Sequence, residues 1–234
     1  MPARVGRKNW NYKPSCRERT AFHEAGHCVA LFHVGFDLST ASIRSRGFCG
    51  GGVRVSRKQC SPAIKELRRT RRGEKQVLDL EIMVALSGML GEHVRELWAG
   101  EELPKGITWS EYIEKHHGPG DWAYAVRKAA EKRDPPRNVL PFASDLDRLN
   151  RDVRRHLRPT QERIFIHPQY RAGLIAVAKG LLAHTTLSAN QVRGRLKRAM
   201  ARHGGPPPGH GTLRGLVGRA RAQREGRRKG YPAT

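Results

Sequence analysis

A single pentapeptide limits what this chain can become more than any other feature of its sequence. His23-Glu24-Ala25-Gly26-His27 has the pattern H-E-x-x-H, and apolar side chains recur close to every 3.6 positions across residues 17–34. That spacing predicts a helix, on which positions four apart lie within about 40° of each other. Two imidazoles on one face can hold one Zn²⁺, while Glu24 on the adjacent flank can take a proton from a metal-bound water. The pentapeptide therefore predicts a zinc site that needs a third ligand.

The pattern is rare by chance. A chain of 234 residues with eleven histidines should contain about 0.03 copies of it. The alternative interpretation is an amphipathic helix whose histidines are ordinary polar groups. Other histidines match no ligand spacing, and we expect them at the surface or at helix caps: His33, His116, His117, His156, His167 and His184.

Charge is the second constraint. The chain has 45 Lys and Arg against 21 Asp and Glu, a formal net charge of +24, yet 38% of its residues are hydrophobic, which is enough for a buried core. Most of the excess lies in three blocks, residues 1–20, 54–75 and 201–234. Such blocks attract polyanions, and they are equally typical of solvated faces and tails. A nucleic acid or an acidic partner therefore stays open.

The sequence favours a cytoplasmic protein without a membrane partner. It has no stretch of 18 apolar residues, and its first residues lack the apolar region of a secretory signal. The four cysteines form no C-x-x-C pair, so we expect reduced thiols rather than a cysteine-based zinc site.

The hydrophobic pattern predicts a mainly α-helical fold with a small β-hairpin. Short alternating runs around the glycines at 50–52 favour the hairpin, and a helical pattern continues from Glu74 to Trp98. Further helices are predicted near residues 144–157, 170–183 and 188–200.

The chain divides into three predicted parts. A basic arm (1–16) precedes a domain (17–200), and a basic, flexible tail (201–234) follows it. Within the domain, the Pro- and Gly-rich segment at about 99–142 is interpreted as an insertion. Two short helices are predicted inside it, at residues 109–117 and 121–132.

Several segments resemble one enzyme family. RTAFHEAGHCVALF resembles the active-site helix of the FtsH-type ATP-dependent zinc metallopeptidases, whose peptidase domain carries HEAGHA. Later segments resemble further elements of that family in the same order. ASIRSRG with GGVRV resembles its strand pair, and MVALSGMLGEHVRELWAG resembles its Glu-bearing helix. ASDL resembles its S-N-D-L element, and AVAKGLLAHTTLSANQVRGRL resembles its closing segment. The resemblance covers about residues 17–200 and implies the helical fold of that peptidase domain.

The resemblance also implies roles for individual residues. His23 and His27 correspond to zinc ligands, Glu24 to the general base and Asp145 to the third ligand. Asp147 competes with Asp145, because it lies two positions on and about 200° around a helix, so that one of the two faces the metal. Asp145 also suits a second interpretation, an acidic residue that complements the helix dipole behind its cap.

Glu92 matches the first glutamate of the family's Glu-bearing helix. The match suggests a group that orients a ligand imidazole. A solvated helix residue is the equally good alternative.

The implied activity is that of a zinc-dependent metalloendopeptidase acting on protein or peptide substrates. The family's namesake also has an ATPase module and membrane helices, whereas this sequence contains no G-x-x-x-x-G-K-[ST] motif. We therefore expect substrates that are already unfolded, or a separate ATPase unfoldase as partner. Peptidase domains of the family form rings, which leaves a homo-oligomer open.

Two rival interpretations remain. Residues 171–200 also suit a helix-turn-helix nucleic-acid-binding segment whose second helix presents Arg193, Arg195, Lys197 and Arg198. The other rival is an inactive zinc-binding scaffold.

Overall fold

The computed structural model describes residues 15–43, 50–55, 62–99, 119–133, 143–206 and 215–216. These ranges form a mainly helical structure with a small antiparallel sheet, which confirms the predicted fold class at that level. The helices are α1 (Cys16–Val34), α2 (Pro62–Arg68), α3 (Arg71–Ala99), α4 (Pro119–Arg133), α5 (Ala143–Thr160), α6 (Pro168–His184) and α7 (Ala189–Ala201). The strands are β1 (Leu38–Ile43), β2 (Gly51–Val55) and β3 (Thr186–Ser188), and a π-helical turn, Gln161–Phe165, follows α5.

Helix α1 has well-defined ends. The Ser15 side chain accepts a hydrogen bond from the backbone N–H of Glu18 (3.2 Å), which satisfies a donor that has no partner within the first turn. Gly35 ends the helix in the left-handed conformation (φ 83°), and its N–H donates to the carbonyl of Leu31. Between these caps most side chains of α1 are buried, so the helix carries the H-E-x-x-H pentapeptide through the core.

Glycines let α1 and α3 approach each other closely. A Cβ atom at Gly26 would overlap the carbonyl oxygen of Ser87, and a Cβ atom at Gly91 would lie 2.5 Å from the carbonyl oxygen of Phe22. The two helices can pack at this distance because neither glycine has a side chain. Helix α3 also confirms the single long helix predicted from the pattern. It places Val84, Gly88 and Glu92 beside the pentapeptide.

The sheet has the order β2-β1-β3, and both outer strands run antiparallel to β1. Ala41 of β1 lies opposite Val53 of β2 and Leu187 of β3. The predicted hairpin is therefore confirmed, whereas β3 lies between the helices predicted near 170–183 and 188–200, where no strand was predicted. Three residues are too few to show an alternating pattern, and β3 owes its strand conformation to pairing with a segment far earlier in the chain.

Helices α6 and α7 form a hairpin around β3. A Cβ atom at Gly173 would lie 2.9 Å from Leu196 and 3.2 Å from Met200, and one at Gly180 would lie 2.6 Å from Nε of Arg195. These contacts show that the two helices pack against each other, and the helix-turn-helix interpretation stays a prediction.

Part of the predicted organisation lies outside the described residues. This holds for most of the arm (1–16), for the short helix at 109–117 and for most of the tail (201–234). Within the predicted insertion, α4 confirms the helix expected at 121–132.

The cysteines differ from one another. Cys28 is a free thiol in the core, and burial raises its pKa well above the ordinary value. Cys16 is disulfide-bonded, so the expectation of reduced thiols is wrong at that position. Among the helices in the described ranges, none combines the length and apolar character that crossing a bilayer requires.

Candidate metal centre

The two histidines of the pentapeptide meet on one face of α1. Their Nε2 atoms are 3.2 Å apart, and their ring centroids are 4.8 Å apart with the ring planes at 79°. This is the convergence that the i, i+4 spacing predicts. Both imidazoles therefore direct the same ring nitrogen toward one point.

A carboxylate from the first turn of α4 completes the cluster. Oδ2 of Asp121 lies 2.7 Å from Nε2 of His23 and 3.0 Å from Nε2 of His27. The group His23, His27 and Asp121 has the donor types and the proximity needed to hold a metal ion. Sequence reasoning missed Asp121, because an acidic residue in the first turn of a helix is also what the helix dipole favours.

The other nitrogen of each imidazole has a hydrogen-bond acceptor on α3. Nδ1–H of His27 donates to the carbonyl oxygen of Val84 (2.8 Å), and Nδ1–H of His23 donates to Oε1 of Glu92 (2.7 Å). A proton fixed on Nδ1 leaves the Nε2 lone pair directed at the cluster. Glu92 thus contacts His23 directly, as predicted for a group that orients this imidazole, and the role itself stays a prediction.

Glu92 is itself held by an arginine from α1. Nε and Nη2 of Arg19 donate to Oε2 of Glu92 at 3.3 and 3.1 Å. Glu92 is 7% exposed, so the arginine supplies the positive charge that a nearly buried carboxylate needs. Arg19, Glu92 and His23 form a continuous chain of hydrogen bonds that ends at the cluster.

Glu24 lies beside the cluster and against strand β2. Its side chain is buried, and a Cβ atom at Gly51 would lie 2.7 Å from Oε1 of Glu24. The absence of a side chain at Gly51 therefore creates the space that the carboxylate occupies. Burial raises the pKa of Glu24, although the charges of His27 and His23 oppose that shift.

Gly88 of α3 makes space for the two imidazoles, as Gly51 does for Glu24. A Cβ atom there would lie 2.5 Å from Nε2 of His27 and 2.6 Å from Nε2 of His23. A larger residue at this position would displace the ligand-type nitrogens. Gly88 and Gly51 thus keep space for the ring nitrogens and the neighbouring carboxylate.

The charges in the cluster are strongly coupled. Burial alone would lower the pKa of His23, but hydrogen bonds to Asp121 and Glu92 and their negative charges raise it to about 10. Burial alone would raise the pKa of Asp121, but its hydrogen bonds to both histidines hold it well below the ordinary value. The cluster thus stabilises positive charge between its donor atoms, whether a proton or a metal ion carries it.

A cavity of about 610 Å³ opens beside the cluster. Its lining includes His23, Glu24, His27 and Asp121, together with β2 and apolar side chains from α1, α2 and α3. Ligand-type donors, a buried carboxylate and an apolar wall in one concave site are typical of a small-molecule or peptide-binding centre.

The structure offers Asp121 for the position that the family resemblance assigned to Asp145. Asp145 belongs to α5, and its side chain lies outside those that the structure describes, so its role stays a prediction. Asp147 is exposed on α5 and does not join the three-residue group. Sequence spacing alone found both histidines, and the resemblance pointed to Glu92.

The remaining histidines have varied surroundings. The expected surface or capping role is wrong for His33, which is 3% exposed and hydrogen-bonded through Nδ1 to the hydroxyl of Tyr170 (2.8 Å). His167 occupies the N-cap position of α6, and His184 is exposed at its end. His116 and His117 lie outside the described residues.

Comparison with known proteins does not assign the chain to a family, because no family model and no curated protein matches it. The geometry of the cluster and the motif resemblance are therefore the grounds for a functional proposal.

Proposed function

We propose that this protein is a zinc-dependent metalloendopeptidase of the FtsH-peptidase type, which hydrolyses peptide bonds in protein or peptide substrates. The convergence of His23, His27 and Asp121 beside a cavity that contains Glu24 carries the proposal. Catalytic zinc sites have three protein ligands and keep one position for water or substrate. The geometry of the structure supports this set of groups, and the family resemblance supports peptide hydrolysis as the reaction.

The donor set suits zinc. Imidazole nitrogen and carboxylate oxygen bind Zn²⁺ at about 2.0–2.2 Å, so donors at tetrahedral angles lie about 3.4 Å apart. The donor atoms here are 2.7, 3.0 and 3.2 Å apart. Small outward movements of the three side chains would accommodate an ion. The hydrogen bonds from Nδ1 of both histidines make Nε2 the nitrogen that would bind the metal, which would displace any proton held there.

Each residue then has a defined task. Bound zinc would lower the pKa of a water ligand and polarise the substrate carbonyl. Glu24 would accept a proton from the attacking water and deliver it to the leaving amine. Its raised pKa suits this exchange, because a buried carboxylate accepts a proton more readily than an exposed one.

Strand β2 offers a means of holding the substrate. Gly51, Gly52, Val53 and Val55 line the cavity, and in the described sheet β2 pairs with β1 along one edge. An extended peptide could add to the other edge by main-chain hydrogen bonds. Because this mode needs an extended chain, the substrate is an unfolded segment or one that a separate ATPase unfoldase supplies.

Zinc content and proteolysis together test the proposal. The purified chain should hold one zinc per molecule and cleave casein, and 1,10-phenanthroline should abolish cleavage until zinc is restored. Glu24→Gln should retain zinc and lower cleavage by at least about 100-fold, because it removes the proton acceptor. Glu162→Gln, which alters an exposed carboxylate outside the cavity, is the matched control.

Three outcomes separate the alternatives. Zinc with chelator-sensitive cleavage supports the peptidase. Zinc without cleavage indicates an inactive zinc-binding scaffold, and absence of zinc from a folded chain overturns the proposal. Unchanged cleavage by Glu24→Gln would remove Glu24 from the mechanism.

A further inference from the structure

The second half of the described chain contains a segment whose charged residues are all basic. We call residues 168–202, which include α6, β3 and α7, the basic hairpin. It contains no aspartate or glutamate, although acidic residues occur throughout the metal-centre helices. Its positive residues are Arg171, Lys179, Arg193, Arg195, Lys197, Arg198 and Arg202. Such a concentration of one charge produces a strong local field.

Helix α7 presents this charge to solvent. Val192, Leu196 and Met200 form its buried side, whereas Lys197, Arg198 and Arg202 are exposed. Positions 194, 197, 198 and 201 lie within an arc of about 100° around the axis. Two of them are Gly194 and Ala201, so the basic side chains border a strip of small residues.

Glycines also hold two arginine head groups close to the helices. A Cβ atom at Gly194 would lie 3.3 Å from Nη1 of Arg198, and one at Gly180 would lie 2.6 Å from Nε of Arg195. The guanidinium groups thus lie over bare backbone rather than extending freely.

Neutralisation by acidic neighbours is slight. Among the ion pairs of the described residues, one reaches the basic hairpin, between Nη2 of Arg193 and Oδ1 of Asp37 at 3.7 Å. The three exposed residues Lys197, Arg198 and Arg202 are not in that pair. Within the part of the chain that the structure describes, no carboxylate forms an ion pair with these three side chains.

The chemistry of the face favours duplex DNA over other polyanions. Hot spots of protein interfaces are enriched in Trp and Tyr as well as Arg, and the one Phe, Tyr or Trp of the hairpin, Tyr170, is fully buried. Interfacial membrane helices need a wide apolar face, whereas the apolar side of α7 packs in the core. A helix fits the wide major groove of B-form DNA, and the major groove of A-form RNA is too narrow for side chains to enter.

We propose that α7 lies with its solvent face along the major groove of double-stranded DNA and binds the phosphates that border the groove, without reading the sequence. Lys197, Arg198 and Arg202 supply the contacts. Asp37, the partner of Arg193, also lines the cavity of the metal centre. If the proposed peptidase activity holds, bound DNA would lie near the cavity, and proteins carried on the same duplex would be the substrates it presents.

Salt-dependent binding tests this surface in the full chain. Fluorescence anisotropy with a fluorescein-labelled 20-base-pair duplex gives the slope of log K against log salt. The triple variant Lys197→Gln, Arg198→Gln, Arg202→Gln should reduce that slope by about three, one for each lost phosphate contact. Two duplexes of unrelated sequence should lose affinity equally, because phosphate contacts carry no sequence information.

The matched control removes three charges elsewhere. Arg148→Gln, Arg151→Gln, Arg163→Gln changes exposed arginines on α5 and the π-helical turn, and the slope should fall by less than one. Circular dichroism checks that both variants fold. Equal losses in both triples, an unchanged slope in the α7 triple, or tighter binding of duplex RNA, polyglutamate or phosphatidylserine vesicles would overturn the proposal. The measurement does not involve zinc or cleavage, so it separates this proposal from the peptidase.

Discussion

The candidate metal centre and the basic hairpin are assembled in opposite ways. In the centre, ligand-type donors come from α1 and α4, and the groups that orient them come from α3 and α1. In the hairpin, one continuous segment supplies every basic residue. The centre therefore depends on packing between distant helices, whereas helix periodicity alone distributes the charges of the hairpin.

Glycines show the difference most clearly. In the centre, a Cβ atom at Gly26 or Gly88 would meet backbone or ring nitrogens, groups with little freedom to move. On the hairpin, a Cβ atom at Gly194 would meet the far end of the flexible Arg198 side chain. A site built from several helices tolerates almost no added volume, and a solvent face on one helix tolerates a good deal.

The largest effect is expected for Gly26→Ala. The added methyl group would overlap the Ser87 carbonyl and force α1 and α3 apart, which should lower the free energy of unfolding by about 3 kcal/mol. Urea denaturation measures the change. A loss below about 1 kcal/mol would show that the two helices can separate at little cost, and would weaken the contrast with the hairpin.

Asp121→Asn should come next. Loss of the charged donor from the three-residue group should weaken zinc binding by at least about 100-fold, more than typical losses from outer groups. Competition with a chromophoric chelator measures the affinity. Asp147→Asn, on an exposed position, should have no effect.

Asp145→Asn decides between two possible third ligands. If Asp121 is the ligand, the Asp145 variant binds zinc like the parent chain. A large loss in Asp145→Asn together with a small loss in Asp121→Asn would instead assign the third position to Asp145.

A smaller effect is expected for the groups that orient His23. Glu92→Gln should weaken zinc binding by roughly tenfold, because it removes the charged acceptor of the Nδ1 proton. Arg19→Ala should act in the same direction, and Arg19→Lys should restore part of the loss. The comparison variant is Arg17→Ala, whose side chain donates to the Leu182 carbonyl and not to Glu92. Equal losses for Arg17→Ala and Arg19→Ala would indicate a general charge effect.

The smallest effect is a gain. Gly194→Ala should raise the free energy of unfolding by up to about 1 kcal/mol, because alanine favours the helix and Arg198 can move aside. The same urea titration used for Gly26→Ala measures it. A destabilised Gly194→Ala variant would mean that the arginine is as rigidly held as the groups of the metal centre.

The sequence predicted what depends on local spacing. The helix of the pentapeptide, the long helix α3, the hairpin of β1 and β2 and the pairing of His23 with His27 follow from periodicity and glycine placement. Strand β3 could not be predicted in this way, because its conformation depends on a distant partner.

Asp121 shows that the same limit applies at the site, because local spacing does not predict contacts between distant segments. Asp121 lies in a segment interpreted as an insertion, and its proximity to His27 is a product of how α4 packs against α3. The resemblance directed attention to Asp145 instead. The hydrogen bond from His27 to the Val84 carbonyl was equally invisible, because any residue offers a backbone oxygen.

Asp121 follows His27 by 94 residues, and this order bears on how the proposed metal site is completed during synthesis. A ribosome delivers both imidazoles, Glu92 and the α1–α3 contact well before the acidic donor emerges. A nascent chain that ends before Asp121 would bind a metal ion weakly, through the two histidines alone. Tighter binding would require that α4 has packed against α3. If the proposed zinc site holds, loading with metal requires a polypeptide that has been made at least through α4.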